Sequence, residues 1–174
     1  VGASGGYYIA AAGDQIVADK ASIVGSIGIY QQLPIFQKLL KKLNATVEVV
    51  KEGEHSDMYS GYRQLSASEI ASVDRLLNEG YQDFIQAVAA GRKLPTAEVE
   101  KAAQGRIYTG AQALEVKLVD RLGGFADAVD LAKTASNTPG EPRLIFYHQP
   151  SFFFPFGAGM SEALKVLGLQ YNLP

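Results

Sequence analysis

The chain has 174 residues, 47% of them hydrophobic, which is enough apolar material for one packed domain. Its formal net charge of −2, with acids and bases interspersed, gives no surface suited to nucleic acid. The absence of cysteine excludes disulfides, thiolate chemistry and cysteine-ligated zinc, and two histidines, His55 and His148, are too few for a histidine-rich metal site, so no cofactor is expected.

Residues 4–12 form an apolar, Ala-rich stretch and read as a short buried helix. Gln15–Ala18 and Ser22–Ile29 carry β-branched residues between turn signals and read as strands. Pro34 can open a helix whose apolar face is Phe36, Leu39, Leu40 and Leu43. Thr46–Val50 reads as the next strand, and the polar stretch Lys51–Gln64, with Gly53 and Gly61, as a long surface loop. Ser66-Ala67-Ser68-Glu69 fits a capping box, with Leu65 and Ile70 placed for a hydrophobic staple. The long helix that follows, to about Ala90, has an apolar stripe of Ile70, Val73, Leu77, Tyr81, Phe84, Ile85 and Val88.

Beyond Pro95 a shorter helix runs to near Gly105, Arg106–Tyr108 reads as a small strand, and Thr109 caps a helix over 110–117. Leu118–Asp120 reads as a strand, Gly123-Gly124 as a turn, and 125–135 as a helix. Asn137-Thr138-Pro139-Gly140 breaks the chain. Leu144–His148 reads as a last strand, followed by the aromatic run Phe152–Phe156 and a helix from about Ser161 to Leu167. Alternating strands and helices predict an α/β domain over 1–135, with 136–174 as a C-terminal extension.

The start of the chain carries the most chemistry. In Gly2-Ala3-Ser4-Gly5-Gly6 a serine sits among small residues that let a substrate backbone approach its hydroxyl. A helix starting just after Ser4 would aim its free N–H groups at the same point, which is how a fold stabilises an oxyanion. The pattern also matches G-x-S-x-G, the nucleophile elbow of α/β-hydrolases, but that elbow needs a preceding strand, which the sequence does not offer. It also needs a late histidine, for which only His148 serves.

The wider succession is more specific. Ala3-Ser4-Gly5-Gly6-Tyr7-Tyr8-Ile9-Ala10 is followed by Asp14-Gln15-Ile16-Val17-Ala18 and by Gly25-Ser26-Ile27-Gly28. Later come Arg106-Ile107-Tyr108-Thr109-Gly110, Ala113, and Leu118-Val119-Asp120-Arg121-Leu122-Gly123-Gly124. This order resembles the signal peptide peptidase A (protease IV) family of Ser–Lys peptidases, on the ClpP/crotonase fold, from Ala3 to about Leu131. The resemblance implies that Ser4 is the nucleophile, that the Gly5 N–H is one oxyanion donor, and that Ser26 orients the general-base lysine. It also implies an N-terminal part of the domain, with the second oxyanion donor, ahead of Val1.

The lysine departs from the family. An ungapped match of the loop, Lys51-Glu52-Gly53-Glu54-His55-Ser56-Asp57, puts Ser56 at the lysine's position. A serine hydroxyl cannot serve as the base, because its pKa is far above that of a desolvated amine. Lys51, about 16 Å away along an extended chain, reads as a solvated charge, and His55 as a satisfied surface histidine. Lys117 also departs, since the family places a glycine there in the left-handed conformation; lysine costs about 1 kcal/mol in it, leaving a different turn open.

The resemblance therefore implies a serine peptidase domain acting on apolar peptides such as released signal peptides, its base supplied from elsewhere or lost. It further implies a homo-oligomer, and a bacterial or archaeal cell-membrane location through a segment outside this chain, with the catalytic part outside the cytoplasm. A catalytically inactive scaffold of the same fold is the alternative, and an esterase using Ser4 and His148 a third. The aromatic run 152–156 suits either a core plug or an oligomer contact.

Overall fold

The computed structural model describes residues 1–146. The chain divides into one unit over Val1–Ala132 and a second from Lys133 onward. The last predicted strand has no regular structure over 144–146, and its remainder, with His148, the aromatic run and the final helix, lies outside the described residues.

The first unit opens with strand β1 (Gly2–Ala3), helix α1 (Gly5–Ala10), β2 (Val17–Ala18) and β3 (Ile23–Gly25). Helices α2 (Gln37–Lys42), α3 (Ala67–Arg92) and α4 (Thr96–Ala102) follow, then β4 (Ile107–Thr109), α5 (Gly110–Glu115), β5 (Arg121–Leu122) and α6 (Phe125–Ala135). This is the expected mixed α/β architecture. In one sheet β3 lies between β1, parallel to it, and β4, antiparallel; in the other, β2 pairs β5 in parallel.

The two small sheets explain why distant motifs occur together. The Asp14–Ala18 and Leu118–Leu122 segments pair, Val17 with Arg121 and Ala18 with Leu122. Asp120 accepts the Ile16 N–H at 2.7 Å and a two-pronged bond from Arg92 of α3 at 2.8 and 2.6 Å. Tyr7 of α1 donates its buried hydroxyl to the Leu118 carbonyl at 2.6 Å. Burial pushes that phenol well above its ordinary pKa, so it remains a donor.

Helix α3 carries the core. Its capping box forms in both directions, Ser66 accepting the Glu69 N–H and Glu69 accepting the Ser66 N–H. Phe84, Ile85, Val88 and Ala89 are buried with Tyr7, Ala11, Ile27 and Leu118. Phe84 meets Tyr8 edge-on, ring centroids 5.2 Å apart. Gly91 permits closer approach still: a Cβ there would stand 1.8 Å from the Ala11 carbonyl oxygen.

Several expectations are corrected. Thr46–Val50 forms no strand, because no partner among the described residues closes a ladder with it, and Val50 is 94% exposed. The strand expected over 22–29 keeps only Ile23–Gly25, since the backbone turns to positive φ at Gly25 (93°) and Ser26 (51°) and the strand ends at Gly25. The strand expected at 118–120 begins at Arg121, Leu118 and Val119 being core residues in the turn before it. Only Tyr7 of α1 is buried, so the helix is not the buried one expected. Ile70 is 55% exposed while Glu69 is buried, its carboxylate held by an arginine and the cap.

Lys117 keeps the left-handed turn, with φ 61°. The Leu118 N–H reaches the Ala113 carbonyl at 2.8 Å and the Lys117 N–H the Leu114 carbonyl at 3.1 Å, a Schellman ending. Lys117→Gly is expected to stabilise the fold by about 1 kcal/mol, read as a raised urea midpoint. Gly91→Ala is expected to do the opposite despite the better helix former, costing about 2–3 kcal/mol because α1 and α3 must separate. Equal midpoints for Gly91→Ala and the parent would show that the α1–α3 contact is looser than described.

Candidate active site

The chain passes from β1 through Ser4 into α1, and the turn is tight enough to strain the serine. Ser4 has φ 52° and ψ −126°, a conformation that side chains other than glycine's rarely adopt. Its N–H continues the β1–β3 ladder by donating to the Gly25 carbonyl at 2.8 Å, while its own carbonyl accepts the N–H groups of Tyr7 and Tyr8 at 2.9 Å. A strand does therefore precede the serine, contrary to the sequence reading; two residues, Gly2 and Ala3, were too few to show as a pattern.

This geometry holds Ser4 exposed at the N-cap of α1, its hydroxyl making no capping bond. The Gly5 N–H, at the first helical position, has no intrahelical partner. Ser4 and Ser26 line one groove of about 590 Å³. Ser26 is half-buried, with φ 51°, and donates its N–H to the Arg106 carbonyl at 2.7 Å. The next bond on that edge runs from the Gly105 N–H to the Ile27 carbonyl at 2.9 Å. The rest of the wall is Gly28, Ile29, Tyr30, Tyr81, Gln104 and Gly105.

Sequence reasoning missed most of that wall. Tyr81 read as core stripe, yet its hydroxyl accepts the Gln104 N–H at 3.3 Å at the groove. The Gln104-Gly105 pair, both at positive φ, was marked only by a glycine beyond a helix end. Among the described residues lining the groove there is no lysine and no histidine.

Ser56 does not line this groove. Its hydroxyl donates to the Glu52 carbonyl within the 51–60 turns. Lys51 is held by Asp57 at 2.6 Å and the Glu54 carbonyl at 2.7 Å. His55 Nδ1 lies 3.3 Å from the Glu69 carboxylate. Arg63 ties the segment to α3, bonding Asp57 at 2.8 and 2.7 Å and Glu69 at 2.8 and 2.7 Å. The guanidinium holds both carboxyls well below the usual range, with help from Lys51 at Asp57 and from the Ser66 N–H at Glu69.

The profile of peptidase family S49 matches residues 1–138. The chain belongs to peptidase family S49. It is 36% identical over 98% of its length to a Methanocaldococcus jannaschii protein with a provisional protease name, covering 51% of that protein. It is 41% identical over 77% of its length to a Synechocystis protein similarly named, covering 48% of it. It is 40% identical over 75% of its length to an Enterococcus faecium protein provisionally named signal peptide peptidase SppA, covering 38% of it. This S49 chain thus spans about half the length of the first two relatives, and the family is the one its motifs resemble.

The depressed carboxyls of this S49 chain fix the sign of its acid response. Both are ionised in the fold at a pH where the unfolded chain binds protons, so their contribution is present above about pH 4–5 and fades as pH falls below it. Arg63→Met is expected to lower stability at pH 7 and to flatten its decline between pH 5 and 3, read by urea unfolding at each pH. A variant with the parent's full acid slope would show that Arg63 does not govern these groups.

Proposed function

We propose that the groove beside Ser4 is the nucleophile-bearing part of a serine peptidase site that takes apolar peptides, released signal peptides among them. The observation that carries the reading is the strained serine between strand and helix, its hydroxyl free of capping duty and opening onto a groove with Ser26. Membership in S49 and the relatives' protease names support it. The framework is the ClpP/crotonase-like one that the family resemblance implies.

In this reading Ser4 Oγ attacks the scissile carbonyl as its proton passes to a base, and the carbonyl oxygen becomes an oxyanion facing the Gly5 N–H. The base then protonates the departing amine, and water hydrolyses the acyl-serine by the same route in reverse. The base is an amine brought by a segment or subunit outside residues 1–174, with the Ser26 hydroxyl orienting it. The groove's own lining supports this, since among the described residues it offers no side chain that could take a proton near neutral pH. Assembly as a homo-oligomer and a membrane location belong to the same proposal; no helix among the described residues is long and apolar enough to cross a membrane.

Residues 1–174 alone are expected to turn over fluorogenic apolar peptides negligibly, since a missing base costs about 10²–10⁴-fold. The full-length protein is expected to cleave them and to lose that activity on Ser4→Ala. Ser56→Lys in the short chain is expected to leave turnover negligible, because residue 56 does not line the groove. A rise of about 10²-fold or more would put the base position in the 51–60 turns. A full-length protein without turnover would favour the scaffold alternative.

A further inference from the structure

Helix α3 contributes to the groove at Tyr81, which lines it, and at Gly80, which backs the lining residue Ile29. Tyr81 presents its ring to the groove and holds the Gln104 N–H through its hydroxyl. Gly80, one residue earlier, has no side chain, and the space a Cβ would occupy is taken by Ile29. That Cβ would stand 2.8 Å from Ile29 Cδ1, closer than real Cβ contacts come. Ile29 is itself a groove residue and is 44% exposed, so the groove is the open side toward which its terminal methyl can be displaced.

A glycine near the middle of a 26-residue helix is costly to helix stability, and nothing in the backbone requires it, since its φ is ordinary. What it supplies is the seat for Ile29 Cδ1. Packed there, the methyl lies back against α3 and the groove wall is recessed by one methyl group.

We infer that Gly80 sets the size of the apolar side chain accepted beside Ser4, by seating Ile29 against α3. Gly80 is a specificity-determining residue that acts through Ile29 and touches no substrate itself. This rests on the reading of the groove as a peptide site, but it concerns which side chains are held and does not require that they be cleaved. The occupant is one aliphatic or aromatic side chain of an extended peptide, larger than alanine.

The test measures binding, so it is separable from turnover. Full-length protein carrying Ser4→Ala, which cannot cleave, is titrated into dansylated Ala-Ala-X amides with X of Ala, Val, Leu or Phe, and affinity is read by fluorescence anisotropy. The parent is expected to favour Leu or Phe over Ala. Adding Gly80→Ala is expected to lower the Leu-over-Ala preference about tenfold, the scale of one methyl in an apolar pocket. Ile29→Val, which deletes the clashing Cδ1 and nothing else, is expected to restore the preference in the Gly80→Ala background and to widen it toward Phe on its own. General damage from Gly80→Ala would weaken all four peptides together and would not be rescued by trimming Ile29. An unchanged preference in Gly80→Ala, weakening of all four peptides alike, no rescue by Ile29→Val, or no side-chain preference in the parent would each overturn the inference. Graded binding in a full-length protein that cleaves nothing would sustain it while removing the peptidase reading.

Discussion

The hydrogen bond from the Ser4 N–H to the Gly25 carbonyl, at 2.8 Å, is the constraint on which the site depends. It carries the β1–β3 ladder one residue past the strand, and α1 begins at the next residue. Ser4 must turn within its own φ and ψ. Gly25, which supplies the carbonyl, has φ 93° and lies against Tyr108, whose ring carbon a Cβ would approach to 2.9 Å. Ser26 follows at φ 51°, held by the Arg106 carbonyl. Backbone strain of this kind costs on the order of 1–3 kcal/mol at each of the two serines and persists only where the surroundings over-determine it. Here the surroundings are the Tyr7–Leu118 bond, the Asp120–Arg92 pair and the seating of α1 on α3 at Gly91 and Phe84.

What the sequence made legible follows from what each signal measures. Capping boxes at Ser66 and Thr109 are local chemistry, and both form as written. The motifs around Ile16 and Asp120 could be recognised as belonging together, though not why; the reason is a parallel pair whose edge Asp120 secures. Ser4 stood out because small residues around a hydroxyl are visible in a line of letters, whereas Ser26 and the Gly5 N–H were singled out only through the family resemblance. The groove wall was not, because Tyr81 and Gly105 are 24 positions apart and converge only through helix packing.

Other readings were overturned by partners that no local pattern reports. Thr46–Val50 has strand composition, but β-branched residues form a strand only against a neighbour, and none of the described residues supplies one. Ile70 fits the apolar stripe of α3 by spacing, yet Glu69 is the buried residue because Arg63 and the Ser66 N–H solvate its charge. Lys117 shows the converse: a residue with the wrong intrinsic preference still adopts φ 61° where two capping bonds and a buried Leu118 demand it.

Chemically, the groove combines an exposed hydroxyl on a strained turn, a helix N-terminus beside it and a second serine, with no proton acceptor among the described residues that line it. The central claim is that Ser4 becomes nucleophilic when a base reaches it. Intact-mass and peptide mapping of full-length protein treated with a serine-directed fluorophosphonate tests this most directly. The account predicts a single adduct, on Ser4, together with no more than trace labelling of residues 1–174 alone. An adduct on another serine, or no adduct on the full-length protein, would contradict it.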